Sequence, residues 1–388
     1  MEKEFKTGGR TFSPQKGVLI IAEIGTGHNG DPVKAKELIA AAKQSGADAV
    51  KFQIVYADEI LHPDTGFVTL PTGRIPLYQR FCELECNPDF YAELAAYTRQ
   101  QGLLFSASAF GLRSAEELRC LNPAFVKIAS PELNHFPLLE RVASFGLPVI
   151  LSTGVSRLGD IEKAAACLDA GGLAPDMRAL LHCVTAYPAP ETDYNTAVLK
   201  TLSAVFNCPA GISDHSLDPA AVPIAGLLSG ACIIEKHICL SRQDTGLDDP
   251  VALEPAQFTR MVQIVRQLTG KADSEILRAA AAAGYSEQYI RAIIGTGEKK
   301  LAAAEKENYG KTNRSIHYLR DLPAGTVLKP EHLAILRTEK NLTAGECPAF
   351  FSRFIGAVLQ HPVRGGAGTV FDDVIQKPEE IRKYTDEC

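Results

Sequence analysis

The sequence predicts an α/β protein, namely a TIM (β/α)8 barrel followed by a small, mostly β domain. From residue 17, short β-branched runs alternate with Ala-rich stretches that space their apolar residues as helices do. Eight such strand candidates fall within residues 1–270, whereas about six would favour an open doubly wound sheet. These candidates are apolar along their length, which is typical of parallel strands covered by helices. A closed parallel barrel is therefore expected.

The eight strand candidates are rich in Val, Ile, Leu or Ala and lead into polar residues. They cover residues 18–24, 49–52, 103–108, 125–130, 147–153, 178–184, 209–215 and 231–237. After the first of them, residues 32–44 have helical spacing, with Pro32 in the favoured first turn and Gly46 suited to a C-cap. The same strand–helix unit recurs along the chain. The carboxyl ends of the strands should therefore meet at one face, where TIM barrels carry their active sites.

Three segments are predicted along the chain. Residues 1–270 form the barrel domain, and residues 271–312, rich in Ala, Glu and Lys, are expected to be a helical linker rather than core. Residues 313–388 contain short strand candidates separated by turn sequences such as PAGT and KPEH. This pattern predicts a separate, mostly β domain.

The composition excludes several classes of protein. The chain has 388 residues, of which 46% are hydrophobic and 22% charged, with a formal net charge of −6. This composition fits a globular protein, and the lack of an excess of positive charge argues against a nucleic-acid partner. No apolar run reaches the roughly 18 residues of a spanning helix, and the N-terminal segment lacks a signal-peptide pattern. We therefore expect a cytoplasmic protein without a membrane partner, and ten cysteines without a CxxC pair agree with reduced thiols.

Two lysines stand within the predicted strands. Lys51 and Lys127 each follow a valine, and a buried ammonium group is costly unless an anion pairs with it. Together with serines at neighbouring strand ends, they predict a pocket for a phosphate or a phosphate-plus-carboxylate ligand. A snorkelling or salt-bridged lysine is the plainer interpretation of each one alone. A Schiff-base aldolase lysine is the sharper alternative.

Two histidines, His215 and His237, end adjacent predicted strands, so their imidazoles should lie close together. Two imidazoles suit a first-row divalent ion that acts as a Lewis acid on a carbonyl group. A satisfied core residue is the plainer interpretation of each histidine alone. His135 and His182 are interpreted as structural. The residues alone thus predict metal-assisted carbonyl chemistry on a phosphorylated small molecule.

Several segments then resemble one known family in order and spacing: AEIGTGHNGD, DAVKFQ, KIASPEL, ILSTG, LHCVTAYPAP, GISDHS and IEKHICL. The sequence resembles the bacterial sialic acid synthases, a family of N-acetylneuraminate, legionaminate and pseudaminate synthases and spore-coat polysaccharide relatives. The tail from residue 313 is similar to the antifreeze-like (SAF) domain of that family. The resemblance implies that phosphoenolpyruvate condenses with an open-chain N-acetylmannosamine-type aldose. The implied products are a nine-carbon 3-deoxy-2-keto acid and phosphate.

The resemblance also implies roles for residues at the matching positions. The implied phosphoenolpyruvate site consists of Lys51, Ser108, Lys127, Ser130, Ser152 and Ser213. The implied metal ligands, for Mn2+ or Mg2+, are His215 and His237. The residues implied in sugar binding, water binding and proton transfer are Glu23, Gln53, Tyr187 and Asp248, and Glu132 and Thr185 are also expected to bind substrate.

In this family the SAF domain reaches across a domain-swapped homodimer and offers an arginine to the sugar of the partner. Arg337 occupies the matching position, and Arg314 is a second candidate cation. The family usually has Arg-Pro-Gly there, whereas this chain has Thr338 and Glu339 after the arginine. The long loop between the second and third strands is expected to overhang the sugar site. A different aldose, such as a legionaminate or pseudaminate precursor, a Schiff-base aldolase and a non-catalytic carbohydrate-binding protein remain as alternatives.

Overall fold

The structure is a computed structural model that describes residues 3–70 and 73–375. The strands, in chain order, are β1 (Phe5–Thr7), β2 (Arg10–Phe12), β3 (Leu19–Gly25), β4 (Ala49–Ile54), β5 (Phe67–Leu70), β6 (Gly73–Pro76), β7 (Leu104–Ala109), β8 (Phe125–Ile128), β9 (Val149–Ser152), β10 (Arg178–Cys183), β11 (Ala210–Asp214), β12 (Ile233–His237), β13 (Arg314–Tyr318), β14 (Leu333–Arg337), β15 (Val358–Leu359) and β16 (Val374–Ile375).

The α-helices are α1 (Pro32–Gln44), α2 (Ala57–Ile60), α3 (Leu77–Cys82), α4 (Pro88–Gln100), α5 (Leu112–Cys120), α6 (Phe136–Ala143), α7 (Leu158–Ala170), α8 (Val198–Phe206), α9 (Ala221–Leu228), α10 (Pro255–Leu268), α11 (Asp273–Ala282), α12 (Glu287–Ile294) and α13 (Phe351–Phe354). The helix predicted over residues 32–44 is confirmed. Asp31 caps it by accepting the backbone N–H groups of Val33 and Lys34.

The predicted barrel is confirmed. Strands β3, β4 and β7 to β12 pair in chain order, and β12 pairs with β3 to close the ring. The parallel register sets Glu23 beside Lys51, and Ser108 beside both Gln53 and Lys127. Residues from four different strands are thus brought to the carboxyl-terminal part of the barrel before any side-chain contact is considered.

The barrel interior changes from apolar to polar along its axis. Side chains alternate along each strand, and an apolar cluster that includes Ile21 and Phe125 fills the lower interior. The next inward position on β3 is Glu23, and on β8 it is Lys127. The alternation that packs the core therefore also points polar side chains towards the carboxyl-terminal face.

An N-terminal hairpin, which the sequence analysis missed, precedes the barrel. Strands β1 and β2 pair in antiparallel register, and Phe5 and Phe12 join the apolar cluster inside the barrel. The turn contains Gly8 and Gly9 with φ of 55° and 71°, a backbone region in which glycine avoids the steric cost of a side chain. The Gly-Gly pair between short extended segments was the available signal.

The expectation that residues 271–312 are linker rather than core needs a correction. The segment contains two helices, α11 and α12, as the helical composition indicated. However, Ile276, Ala280, Ile290 and Ile293 are buried in the same apolar cluster as the barrel helices. The physical reason is that both helices are amphipathic, so that their apolar faces lose water by packing on the barrel.

The C-terminal domain is small and mostly β, as predicted. Strands β13 and β14 pair in antiparallel register, as do β15 and β16. Its core includes Ile316, Tyr318, Leu333 and Phe354. The part of the predicted domain over residues 376–388 lies outside the described residues. Among the residues that are described, no helix is long and apolar enough to cross a membrane.

One prediction concerns pH and His135, the N-cap of α6. Burial, and then the charge of Arg314, lowers the pKa of His135 to about 3. Because this pKa lies below the unfolded value of about 6.5, the folded protein resists protonation, and stability is lost as the pH falls between these two values. His135→Asn keeps a capping acceptor without a titrating ring. As the pH decreases, we expect the free energy of unfolding to fall less steeply for His135→Asn than for the wild type, by about 1.4 kcal/mol per pH unit below pH 6. The measurement is urea titration at several pH values between 7.5 and 5.

The matched control is the exposed residue His361, changed to Asn. His361 lies in the C-terminal domain with its side chain 52% exposed, so His361→Asn should leave the slope of the wild-type chain unchanged. Equal slopes for His135→Asn and the wild type would contradict the assignment of the acid-sensitive group.

Candidate active site

A cavity of about 240 Å³ opens at the carboxyl-terminal face of the barrel. The predicted site residues that line it are Glu23, Lys51, Gln53, Ser108, Lys127, Ser130, Ser152, Thr185, Tyr187, Ser213, His215, His237, Asp248 and Arg337. Glu132 is the predicted site residue that lies outside this lining. The lining also includes Phe81 and Leu84, which follow the β5–β6 hairpin, so the long loop overhangs the site as expected.

The two lysines are held inside the cavity by carboxylates. Lys51 Nζ lies 2.7 Å from Glu23 Oε2 and 3.9 Å from Glu235 Oε1. Lys127 Nζ lies 3.2 Å from the same oxygen of Glu235, which also accepts a hydrogen bond of 3.0 Å from Ser213 Oγ. All four charged residues are at most 4% exposed. The interior therefore holds two positive and two negative charges in contact with one another.

Burial and pairing act differently on the two lysines. Burial alone would lower the pKa of Lys51, but the carboxylates of Glu23 and Glu235 outweigh it, and the pKa is raised. Burial lowers the pKa of Lys127, and Glu235 only partly offsets this effect. The pKa of Glu235 is lowered: burial opposes ionisation, but the two ammonium groups prevail. Lys51 is thus firmly cationic, whereas Lys127 holds its proton less tightly.

Glu235 is the important residue to which the sequence analysis assigned no role. It stands at an inward position of β12, between Ile233 in the apolar cluster and His237 in the cavity lining. The alternation along IIEKH was the signal that could have found it.

A second polar group of side chains gathers around Gly25. Gln53 Nε2 donates to Glu23 Oε1 at 2.9 Å. Gly25 has a φ of 58°, and a β-carbon there would lie within 3.3 to 3.5 Å of Gln53, Asp248 and Glu23. The glycine therefore meets a backbone requirement and leaves room for three polar side chains to converge.

The two predicted metal ligands lie together. The rings of His215 and His237 have centroids 5.7 Å apart, and Tyr187 stacks on His215 at 4.3 Å. His215 Nδ1 lies 3.0 Å from the carbonyl oxygen of Val184, so an N–H there leaves Nε2 as the unprotonated ring nitrogen, 3.4 Å from the hydroxyl group of Tyr187. Burial lowers the pKa of both histidines, which favours the neutral form that binds metals.

The donor set fits a divalent ion only as an open site. In residues 3–70 and 73–375, no group of three or more His, Cys, Asp or Glu side chains is arranged to hold a metal. His215 and His237 offer two nitrogen ligands, and Asp248 Oδ2 lies 3.9 Å from His237 Nδ1. The remaining coordination positions would come from water and substrate, as in catalytic rather than structural metal sites. Burial raises the pKa of nearby Cys183 to about 12, so its thiol is protonated.

Two hydroxyl groups of the lining have no hydrogen-bond partner. Ser152 Oγ and Thr185 Oγ1 are both buried, and neither donates to nor accepts from another described residue. A buried polar group left unpaired costs about 1–3 kcal/mol. Both hydroxyls are therefore available to a ligand that carries oxygen atoms.

The SAF-like domain meets the barrel at Glu132. The Oε1 atom of Glu132 lies 2.9 Å from Arg314 Nη2 and 2.7 Å from Arg337 Nη2. Arg314 is fully buried and also donates to the carbonyl oxygens of Glu59 and Phe110 on the barrel, at 2.6 and 2.8 Å. Arg337 lines the cavity, whereas Arg314 anchors the domain behind it.

Arg337 reaches the cavity of its own chain. The connecting segment crosses the barrel rim, where Asn308 donates to the carbonyl of Thr185 and Asn313 to that of Val155. The exchange of this arginine across a domain-swapped homodimer, which the resemblance implied, stays a prediction.

One wall of the cavity is apolar. Val55, Phe81, Leu84, Phe110 and Leu247 line it, and they belong to a single hydrophobic cluster. The cavity therefore combines a charged floor with a contiguous apolar wall, a combination suited to a ligand with one anionic end and one apolar substituent.

Known proteins match this chain along most of its length. A model described as the NeuB family matches residues 38–276, and the SAF domain matches residues 313–375. The spore coat polysaccharide biosynthesis protein SpsE of Bacillus subtilis is 31% identical over 96% of this chain and 98% of its own. Its crystal structure has a TM-score of 0.80, with 30% identity over 96% of this chain and 99% of that one.

Two further relatives are named as synthases. N,N'-diacetyllegionaminic acid synthase of Legionella pneumophila is 32% identical over 92% of this chain and 94% of its own. The crystal structure of N-acetylneuraminic acid (sialic acid) synthetase from Leptospira borgpetersenii, in complex with citrate, has a TM-score of 0.62. It is 29% identical and covers 79% of this chain and 95% of that one.

A prediction concerns the shared carboxylate of Glu132. Glu132→Gln removes the anion between two guanidinium groups, and breaking a buried pair from one side costs about 3–5 kcal/mol. We expect a lower melting temperature and faster limited proteolysis within residues 299–313. Glu116→Gln is the matched control, because Glu116 also pairs with two arginines, Arg119 and Arg141, but at the exposed surface. Equal effects of the two substitutions would contradict a docking role for Glu132.

Proposed function

The chain belongs to the NeuB family, and on that premise we propose that it is a nonulosonic acid synthase that uses phosphoenolpyruvate. The proposed reaction joins the methylene carbon of phosphoenolpyruvate to the aldehyde carbon of an open-chain 2-acetamido aldose. Water adds at the adjacent carbon, the C–O bond to the phosphoryl group breaks, and phosphate leaves. The product is a nine-carbon 3-deoxy-2-keto acid.

The observation that carries the proposal is the buried lysine pair beside unpartnered hydroxyls. Lys51 and Lys127 lie in the lining together with Ser152 and Thr185, whose oxygens lack partners. A ligand with a phosphate ester and a carboxylate offers several acceptor oxygens to the lysines and to these hydroxyl groups. It also carries more negative charge than the carboxylates of Glu23 and Glu235 together. Charge-assisted hydrogen bonds of this kind are about twice as strong as neutral ones. Ser108, Ser130 and Ser213 extend the same proposed anion site.

We assign the polar group around Gly25 to the sugar and to proton transfer. Glu23 is bound by both Lys51 and Gln53, so its carboxylate is oriented before the substrate arrives. From there it is suited to hold the water or move a proton, with Asp248 and Tyr187 contacting sugar hydroxyls. Binding both reactants in one cavity makes the addition effectively unimolecular, an effect that can contribute roughly 7–11 kcal/mol.

For the metal, we propose that His215 and His237 hold Mn2+ or Mg2+. When bound there, the ion would polarise the aldehyde carbonyl. The hydrogen bond between His215 and the Val184 carbonyl supports this assignment, because it orients the ring and leaves Nε2 unprotonated.

The apolar wall favours one class of aldose. Phe81, Leu84 and Phe110 offer carbon atoms to a substituent of the sugar rather than hydrogen-bond donors. A methyl group at C6 can bury against such a wall, whereas a hydroxyl group there would face carbon atoms instead of hydrogen-bond partners. Among the alternatives, we therefore propose a 6-deoxy diacetamido aldose, the legionaminate type of precursor.

The first test measures phosphate release from phosphoenolpyruvate with Mn2+ across N-acetylmannosamine, its 6-phosphate, mannose and diacetamido-trideoxy hexoses. We expect release to depend on an added aldose and to be fastest with a 6-deoxy sugar. Lys127→Met should lower kcat/KM at least 100-fold because it removes a cation from the anion site, while the exposed Lys271→Met should not. If none of the aldoses in the panel supports phosphate release, and borohydride traps a lysine adduct, the Schiff-base aldolase would be favoured instead.

The second test concerns the metal. Treatment with a chelator should abolish turnover, and Mn2+ should restore it. His237→Ala should weaken Mn2+ binding at least tenfold in a titration followed by electron paramagnetic resonance, whereas His361→Ala should bind as the wild type does. Full activity of metal-free protein would overturn the assignment of these two ligands.

A further inference from the structure

A second cavity, of about 670 Å³, lies between β10 and the segment that leads to the SAF-like domain. It is separate from the proposed active site and shares none of its lining residues. Its lining is strongly basic, with Arg157, Lys299, Lys300 and Lys306 against a single carboxylate, Asp193.

The carboxylates of Glu305 and Asp160 attract the ammonium group of Lys299 from beyond ion-pair distance. Lys300 pairs with Glu298 at 3.1 Å, and Asp193 Oδ2 accepts the backbone N–H of Ala304. Within the described part of the chain, no carboxylate forms an ion pair with Lys299 or with Lys306. Cationic groups that share one concave wall repel each other unless an anion lies among them.

Two buried polar atoms in this lining lack partners. Lys299 Nζ is buried and donates to no atom among the residues described. His182 is 3% exposed, and its Nδ1 is likewise unpartnered. The other ring nitrogen, Nε2, lies 2.6 Å from the carbonyl oxygen of Tyr194, so a donor N–H there leaves Nδ1 as an acceptor. The cavity thus presents a buried cation and, beside it, an acceptor for a hydroxyl group.

Hydrogen bonds within the chain hold the wall of this second cavity in place. The amide oxygen of Asn195 accepts the backbone N–H groups of Thr296 and Gly297 at 2.7 and 2.8 Å. Gly295 has a φ of 65°, and a β-carbon on it would clash with the Asn195 side chain. The segment that carries Lys299 is therefore held in position without a ligand.

We propose that this cavity is a second anion site, and that its ligand is a hydroxylated organic phosphate such as a sugar phosphate. Lys299 binds the phosphate inside the cavity, and Arg157 and Lys306 add charge at its rim. His182 Nδ1 accepts a hydroxyl group of the ligand. The volume exceeds what a bare phosphate fills and lies in the range of small-molecule sites.

The position of the site connects it with the proposed active site. Glu305 Oε2 accepts the backbone N–H groups of Val155 and Thr185, each at 3.0 Å, and Thr185 lines the first cavity. Tyr194, whose carbonyl faces His182, accepts the backbone N–H of His215 with its hydroxyl group at 2.5 Å. An anion bound at Lys299 therefore restricts the motion of the loops after β9 and β10.

The test is equilibrium dialysis with two probes, inorganic phosphate and ribose 5-phosphate. We expect the wild type to bind two phosphates per chain, and Lys127→Met, which removes the anion site of the proposed function, to bind one. In the Lys127→Met background, ribose 5-phosphate should bind at least threefold more tightly than phosphate. Adding Lys299→Met should weaken both at least tenfold.

Further variants separate the possible outcomes. The rim variants Arg157→Met and Lys306→Met, at exposed positions that should tolerate substitution, are expected to weaken binding about three- to tenfold, and Lys271→Met, on the same segment outside the cavity, should not. Unchanged binding after Lys299→Met would overturn the second site, and preference for bare phosphate would overturn the organic ligand. If Lys127→Met still binds two phosphates, the proposed active-site cradle fails while the second site stands.

A second readout follows the loops after β9 and β10. In the Lys127→Met background, ribose 5-phosphate should slow amide hydrogen exchange within residues 153–156 and 183–187. The protection should disappear when Lys299→Met is added. Binding without any such protection would overturn the connection between the two sites.

Discussion

The cost of burying two ammonium groups inside a barrel governs the arrangement of the polar face. An ammonium group in a low-dielectric interior is unstable unless a carboxylate pairs with it. Here Glu23 and Glu235 supply that pairing, and one oxygen of Glu235 lies within reach of both lysines and Ser213. The floor of the cavity is therefore electrically balanced, while the hydroxyl groups of Ser152 and Thr185 have no partner among the described residues. That combination makes the site stable when empty and receptive to an anion.

The same principle recurs where the two domains meet. Glu132 is fully buried, and one of its oxygens accepts from the guanidinium groups of both Arg314 and Arg337. Arg314 faces the barrel and anchors the domain, while Arg337 reaches the cavity. Because both arginines bind one carboxylate, the contact that docks the small domain also places Arg337 in the cavity.

The segment between the domains is more than a connection. Its helices bury apolar residues against the barrel, and its later part lies against the loops after β9 and β10 through Glu305 and Asn308. It also forms a wall of the second cavity. Thr185, whose backbone N–H donates to Glu305 of this segment, lines the first cavity, and Lys299 of the same segment lines the second.

The sequence by itself determined the barrel and most of the first cavity. Parallel strands have a strict alternation and a common direction, so Lys51, Lys127, His215 and His237 could be assigned to one face from their positions alone. The part that only the tertiary structure decided depends on contacts between distant segments. Glu132 and Arg314 are 182 residues apart, and a local pattern contains no information about such a pair. The same reason explains why the packing of the helices after residue 270 and the cavity around Lys299 became evident only from the folded chain.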